Sequence, residues 1–124
     1  MSVERKLAAI MFTDIAGYTS QMSKDQDIAL SMLDTKRKAL QPLIQKHKGT
    51  LVKEMGDGTL SHFPSAIHAI KCSTELQKSL NNNDRLNVRI GIHHGEAIFR
   101  DDDVFGDVVN IASRLETMAP PGEF

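Results

Sequence analysis

Thr50-Leu51-Val52-Lys53-Glu54-Met55-Gly56-Asp57-Gly58-Thr59-Leu60-Ser61-His62-Phe63 is the stretch on which the fold turns. Two short runs of strand character, residues 50–55 and 59–63, flank Gly56-Asp57-Gly58. Such a pair about a Gly-Asp-Gly turn reads as a β-hairpin. A hairpin joins antiparallel neighbours, whereas parallel neighbours need a long crossover, usually helical. The stretch therefore speaks against the rival architecture, a doubly wound parallel sheet.

Upstream, apolar residues Ile28, Met32, Leu33, Ala39, Leu40, Leu43 and Ile44 recur at helical spacing, which predicts a helix over about 24–48. Pro42 lies inside it, so a kink or an early end near Gln41 is expected, and Gly49 is a natural stop. Before that helix, residues 6–13 read as a strand whose run Leu7-Ala8-Ala9-Ile10-Met11-Phe12 suits burial on both faces. It gives way to a loop-like Asp14-Ile15-Ala16-Gly17.

Downstream of the hairpin, Pro64-Ser65 leads into a second helix over 66–80, closed by the polar turn Asn81-Asn82-Asn83-Asp84. Leu86, Val88, Ile90 and Ile92 then alternate with polar or small residues, the period of a strand. Strand character resumes over 96–100, and Asp101-Asp102-Asp103 reads as a loop. A third helix begins at Gly106 or Asp107, with Val108, Ile111, Ala112, Leu115 and Ala119 as its apolar face. Pro120-Pro121-Gly122 ends it, and Glu123-Phe124 look like the start of another strand. The order β-α-β-β-α-β-(β)-α predicts an α+β fold: a ferredoxin-like βαββαβ core, an antiparallel sheet with helices on one face.

The 124 residues suit one domain, 1–124, and 40% hydrophobic residues suit a folded one. Fifteen Lys and Arg against sixteen Asp and Glu leave a formal charge of −1, which is no footprint for nucleic acid. The single cysteine, Cys72, excludes an intrachain disulfide and a cysteine zinc cluster and reads as a small core hydrophobe. A reducing, cytoplasmic setting is expected. No apolar run approaches the ~20 residues that span a bilayer, and the N-terminus lacks the apolar stretch of a signal peptide.

Asp14, at the end of a buried strand, and Asp57, at the hairpin tip, would lie at one end of the sheet if the hairpin pairs beside the first strand. Two hard oxygen ligands there suit Mg²⁺; turn chemistry alone also accounts for Asp57, and loop or cap chemistry for Asp14. Asn110 and Arg114, four apart, share a helix face opposite the apolar stripe. That face either holds a sugar oxygen and a phosphate or is simply solvated. Lys53, just before the hairpin tip, reads by itself as an exposed strand lysine, the usual case, Asp103 as part of a solubilising acidic loop, and Arg89 as a partner for a neighbouring carboxylate. His93-His94 is no zinc site, because adjacent strand residues point to opposite faces.

Four segments in this order resemble the catalytic domain of class III adenylate/guanylate cyclases: Phe-Thr-Asp-Ile-Ala-Gly-Tyr-Thr (12–19), Lys-Glu-Met-Gly-Asp-Gly (53–58), Val-Arg-Ile-Gly-Ile-His-His-Gly (88–95) and Phe-Gly-Asp-Val-Val-Asn-Ile-Ala-Ser-Arg (105–114). The chain has no P-loop motif. The resemblance implies that Asp14, Asp57 and the Ile15 carbonyl bind two divalent ions, Mg²⁺ or Mn²⁺. It implies that Gly17, Tyr18 and Thr19 hold the triphosphate through backbone amides. Lys53 and Asp103 stand where adenylate-forming members read adenine; guanylate-forming members carry Glu and Cys there. Arg89 matches a phosphate-binding arginine, Asn110 would orient the ribose, and Arg114 would stabilise the transferring phosphate. The implied activity is conversion of ATP to 3′,5′-cyclic AMP and pyrophosphate. One chain carries both halves of the family's shared site, so a bacterial-like homodimer with composite sites is expected. Family domains run on with more strands and a phosphate-binding lysine, so the 124 residues are expected to be a truncated form. The alternative is a catalytically weak nucleotide-binding or dimerisation fragment.

Overall fold

The computed structural model describes residues 3–80 and 86–120. The expected turn at 81–84 and strand start at 123–124 lie outside the described residues. The elements are β1 (Glu4–Ile15), α1 (Tyr18–Lys24), α2 (Gln26–Lys46), β2 (Thr50–Met55), β3 (Gly58–Phe63), α3 (Ala66–Leu80), β4 (Val88–Arg100), β5 (Asp103–Phe105) and α4 (Asp107–Met118). The strands form one antiparallel sheet in the order β2-β3-β1-β4-β5. The hairpin is as read, and its inner strand pairs with β1, Thr13 opposite Thr59.

Central β1 divides the core by the parity of its side chains. Ala9, Met11 and Ile15 face α2 and α3 in a cluster with Met32, Leu40, Ile44, Phe63, Ala69, Cys72, Leu76, Val88 and Ile90. Ala8 and Ile10 face the other way, onto Leu60, Ala97, Val104, Val108 and Ala112. The helices of the βαββαβ frame thus share one face, as expected, while α4 covers the other. This double burial explains the unbroken apolar run of β1.

Several boundaries differ from the sequence reading, each for a local reason. The single helix expected over 24–48 is two. Asp25 is extended (φ −154°) and caps α2, its carboxylate accepting from the Asp27 and Ile28 amides at 3.1 and 3.2 Å. Residues 18–24 turn separately as α1, behind Gly17 at φ 73°. Pro42 does not end α2, which runs on to Lys46 over the buried Leu40 and Ile44. β4 is continuous through 93–95. Asp101 and Asp102, both at positive φ (52° and 61°), make the tight turn that starts β5 at Asp103. The stripe of α4 is rotated from that expected: Val108, Ala112 and Glu116 are buried, and Leu115 is exposed. Gly91 causes this, since a Cβ there would lie 2.2 Å from the Glu116 amide nitrogen and 2.4 Å from the Ala112 carbonyl. The helix rests its backbone on a strand position with no side chain.

Candidate active site

Asp14 is the penultimate residue of β1, opposite Arg89 of β4. Arg89 grips it with both arms, Nε to Oδ1 at 2.8 Å and Nη2 to Oδ2 at 2.5 Å. Arg89 also lies 3.6 Å from Glu116 Oε1 on α4 and donates to the Thr117 carbonyl at 3.3 Å. The hairpin tip brings Asp57 to the same end, where its Oδ2 accepts from the Ile15 amide at 2.9 Å. Lys36 of α2 reaches in from below, with Nζ donating to the Asp57 carbonyl and, at 3.1 Å, to Thr59 Oγ1. Asp14, Ile15, Asp57 and Arg89 are therefore brought together, and Gly17, Tyr18 and Thr19 follow directly at the start of α1.

Burial and charge compete here. For Asp14, burial pushes the carboxyl up, but hydrogen bonds with Arg89 and Glu116, with the charges of Arg89 and Lys36, outweigh it and leave it below its usual range. Burial, then the neighbouring Asp14, pushes Glu116 up to about 8. Burial lowers Lys36 to about 8 against the opposing pull of Asp57 and Asp14. The two neighbouring acids are thus driven apart: Asp14 is held as the carboxylate that Arg89 grips, and Glu116 beside it is pushed toward its protonated form.

The second pair named by the sequence also converges. Lys53 lies just past an irregularity in β2, where the register shifts between Leu51 and Lys53, which puts it opposite Leu60. Its Nζ meets Asp103 Oδ2 at 3.1 Å, although β2 and β5 are opposite edges of the sheet. The sheet must coil strongly for its edges to touch. The Val104 amide at 2.8 Å on Oδ1 holds Asp103 below its usual range, and Lys53 adds to this.

Asn110 and Arg114 do not join either group. Both are exposed on α4, about half a turn round from Val108, Ala112 and Glu116, which face the sheet. Among the described residues, Arg114 Nε makes a long contact, 3.4 Å, to the Asn110 carbonyl. His93 and His94 pair with Ile10 and Ala9, on opposite faces, as expected.

Sequence reasoning missed Lys36 and Glu116. Each falls in an apolar stripe at the helical interval: Met32-Lys36-Leu40-Ile44 on α2 and Val108-Ala112-Glu116 on α4. A charged residue in register with such a stripe, within it for Lys36 and at its end for Glu116, was the available signal.

Among the described residues no group of three or more His, Cys, Asp or Glu could hold a metal by itself. Two carboxylates and a carbonyl, Asp14, Asp57 and Ile15, are hard oxygen donors. They fit an ion that completes its shell with water and substrate phosphate, the habit of Mg²⁺.

The family model described as the adenylate and guanylate cyclase catalytic domain matches residues 2–124. The chain belongs to that family. It is 36% identical to putative adenylate cyclase 3 of Rhizobium meliloti, over 98% of this chain and 22% of that protein. It is 31% identical to an adenylate cyclase of Streptomyces coelicolor, over 95% of this chain and 31% of that protein. It thus spans less than a third of either curated relative. The crystal structure of an adenylate/guanylate cyclase/hydrolase from Silicibacter pomeroyi superposes with a TM-score of 0.90 at 36% identity, over 98% of this chain and 75% of that one. The cyclase fold is therefore established, and the four motifs named above lie within the matched span. Among the described residues of this cyclase domain, no helix is long and apolar enough to cross a membrane.

Proposed function

We propose that the chain is the catalytic domain of an adenylate cyclase acting as a homodimer in the cytoplasm, converting ATP to 3′,5′-cyclic AMP and pyrophosphate. The ribose 3′-oxygen attacks the α-phosphorus in line. The new O–P bond forms as the bond to the β-phosphate bridging oxygen breaks, the electron pair leaves with pyrophosphate, and the hydroxyl proton passes to solvent. Asp14, Asp57 and the Ile15 carbonyl hold the divalent ions, Mg²⁺ or Mn²⁺. Those ions, when bound, lower the hydroxyl pKa and neutralise the departing phosphates.

The chain's own residues do the rest. The amides of Gly17, Tyr18 and Thr19, near the start of α1 where helical partners are lacking, cradle the triphosphate. Arg89, already at this end of the sheet, serves its phosphates. Asn110 orients the ribose, and Arg114 supplies positive charge where negative charge develops. Lys53 donates to adenine N1 and Asp103 accepts from the 6-amino group.

The observation that carries ATP over GTP is the Lys53–Asp103 pair, a donor and an acceptor fixed 3.1 Å apart. Guanine presents O6 and N1–H, the opposite polarity. The homodimer is supported by α4: Asn110 and Arg114 stand on its outer face, turned from Asp14, which meets its inner face at Glu116. A second copy would bring its own Asn110 and Arg114 to the Asp14 end. The test is turnover of ATP and GTP with Mn²⁺. Cyclic AMP formation with GTP disfavoured upholds the reading, and turnover of neither refutes it.

A further inference from the structure

Lys36 is 1% exposed and sits in the apolar stripe of α2 that packs on the sheet. Burying an ammonium costs far more than burying a methionine of similar length, so packing alone does not explain a lysine. Its Nζ spends hydrogen bonds on two acceptors, the Asp57 carbonyl and Thr59 Oγ1, and both belong to the hairpin tip. That tip is otherwise a two-glycine turn, with Gly56 at φ 63°. Asp57 is therefore held at two points. From β1, the Ile15 amide holds its carboxylate at 2.9 Å, and from α2, Lys36 holds its carbonyl.

We propose that Lys36 is a positioning residue that clamps the backbone of Asp57 so that its carboxylate is set for divalent-ion binding beside Asp14. The inference rests on the reading that Asp14 and Asp57 hold those ions. A group that fixes a metal ligand from behind is commonly worth about 10- to 100-fold in metal affinity. Lys36 is also a positive charge near the ions, and by Coulomb's law alone its removal would tighten their binding. The clamp and the bare charge therefore predict opposite signs.

The experiment is a titration of Mn²⁺, followed by electron paramagnetic resonance, into the purified protein with a non-cyclisable ATP analogue. Wild type is compared with Lys36→Met, Thr59→Val and Asp57→Asn. Lys36→Met keeps the apolar stem and is expected to weaken Mn²⁺ binding about tenfold. Thr59→Val removes one acceptor and is expected to weaken it about two- to threefold, a smaller share of the same effect. Unchanged or tighter Mn²⁺ binding in folded Lys36→Met overturns the clamp. If Lys36→Met does not fold, Thr59→Val decides, and unchanged binding there overturns it. Asp57→Asn separates the two layers. If it weakens Mn²⁺ while Lys36→Met does not, the clamp alone fails. If Asp57→Asn leaves Mn²⁺ binding intact, the ligand reading fails, and the clamp with it.

Discussion

At the Asp14 end of the sheet, charged side chains from β1, α2, the hairpin tip, β4 and α4 interlock, and Lys36 and Glu116 are almost wholly buried. Between the two edge strands the ion pair Lys53–Asp103 closes the sheet, with side chains 44% and 29% exposed. The first region has its shape fixed inside one chain before anything binds. The second is open to solvent and set mainly by the coiling of the sheet. In the proposed function, work that needs atoms fixed to a fraction of an ångström is assigned to the buried network, and selection among bases to the exposed pair.

That contrast breaks if the buried end is dispensable. Asp14→Ala or Asp57→Ala is expected to lower cyclic AMP formation by at least about 10²-fold, because each carboxylate anchors ions that stabilise both oxygens of the displacement. Near-wild-type turnover in either variant removes the distinction at once. Complementation sharpens it. Asp14→Ala and Arg114→Ala chains, inactive alone, are expected to recover up to about a quarter of wild-type activity when mixed, because half the dimers are mixed and each has one intact site. No recovery with mixed dimers confirmed would mean that each chain builds its own site.

The exposed pair is expected to contribute less. ATP should be preferred to GTP by at least about tenfold, since a mismatch leaves polar groups unpaired at roughly 1–3 kcal/mol each. Competition assays at equal nucleotide concentration measure this, and equal turnover would show that the pair does not read the base.

The smallest effect lies at His62, on the strand between Lys53 and the core, edge-on to Phe99 at 4.8 Å. Burial, then the charge of Lys6, holds His62 below its usual range. As pH falls through about 6.5 the unfolded chain takes up a proton before the folded one does, so stability drops until the folded pKa is passed. His62→Phe should lose less stability than wild type between pH 7 and 5 in urea titrations. Parallel losses would place the acid sensitivity elsewhere.

The hairpin and the sheet class were legible because each rests on local signals, a Gly-Asp-Gly turn and apolar periodicity, whereas the convergence of Asp14 on Asp57 was conditional on the long-range pairing of the hairpin with β1. Lys53 and Asp103 were legible only through the family's motifs, since 50 residues and the whole width of the sheet separate them. The break at Asp25 was hidden by its neighbours, because a capping aspartate between two helical segments resembles a polar position within one. The rotation of α4 was hidden by Gly91, which says nothing of which helix lies on it. Glu116, and with it the environment of Asp14, could not be placed without that contact.

Gly91 has a consequence for inheritance as well as for packing. The outward reach of Asn110 and Arg114 depends on how closely α4 lies on β4, and the missing methyl at position 91 sets that spacing. A change to alanine would lift α4 off β4, moving Asn110 and Arg114 outward and drawing Glu116 away from Asp14, while Asp57 on the hairpin tip stays on its own supports. In the proposed homodimer, a cell carrying both alleles would find one polypeptide's lesion expressed partly in the site of its sister.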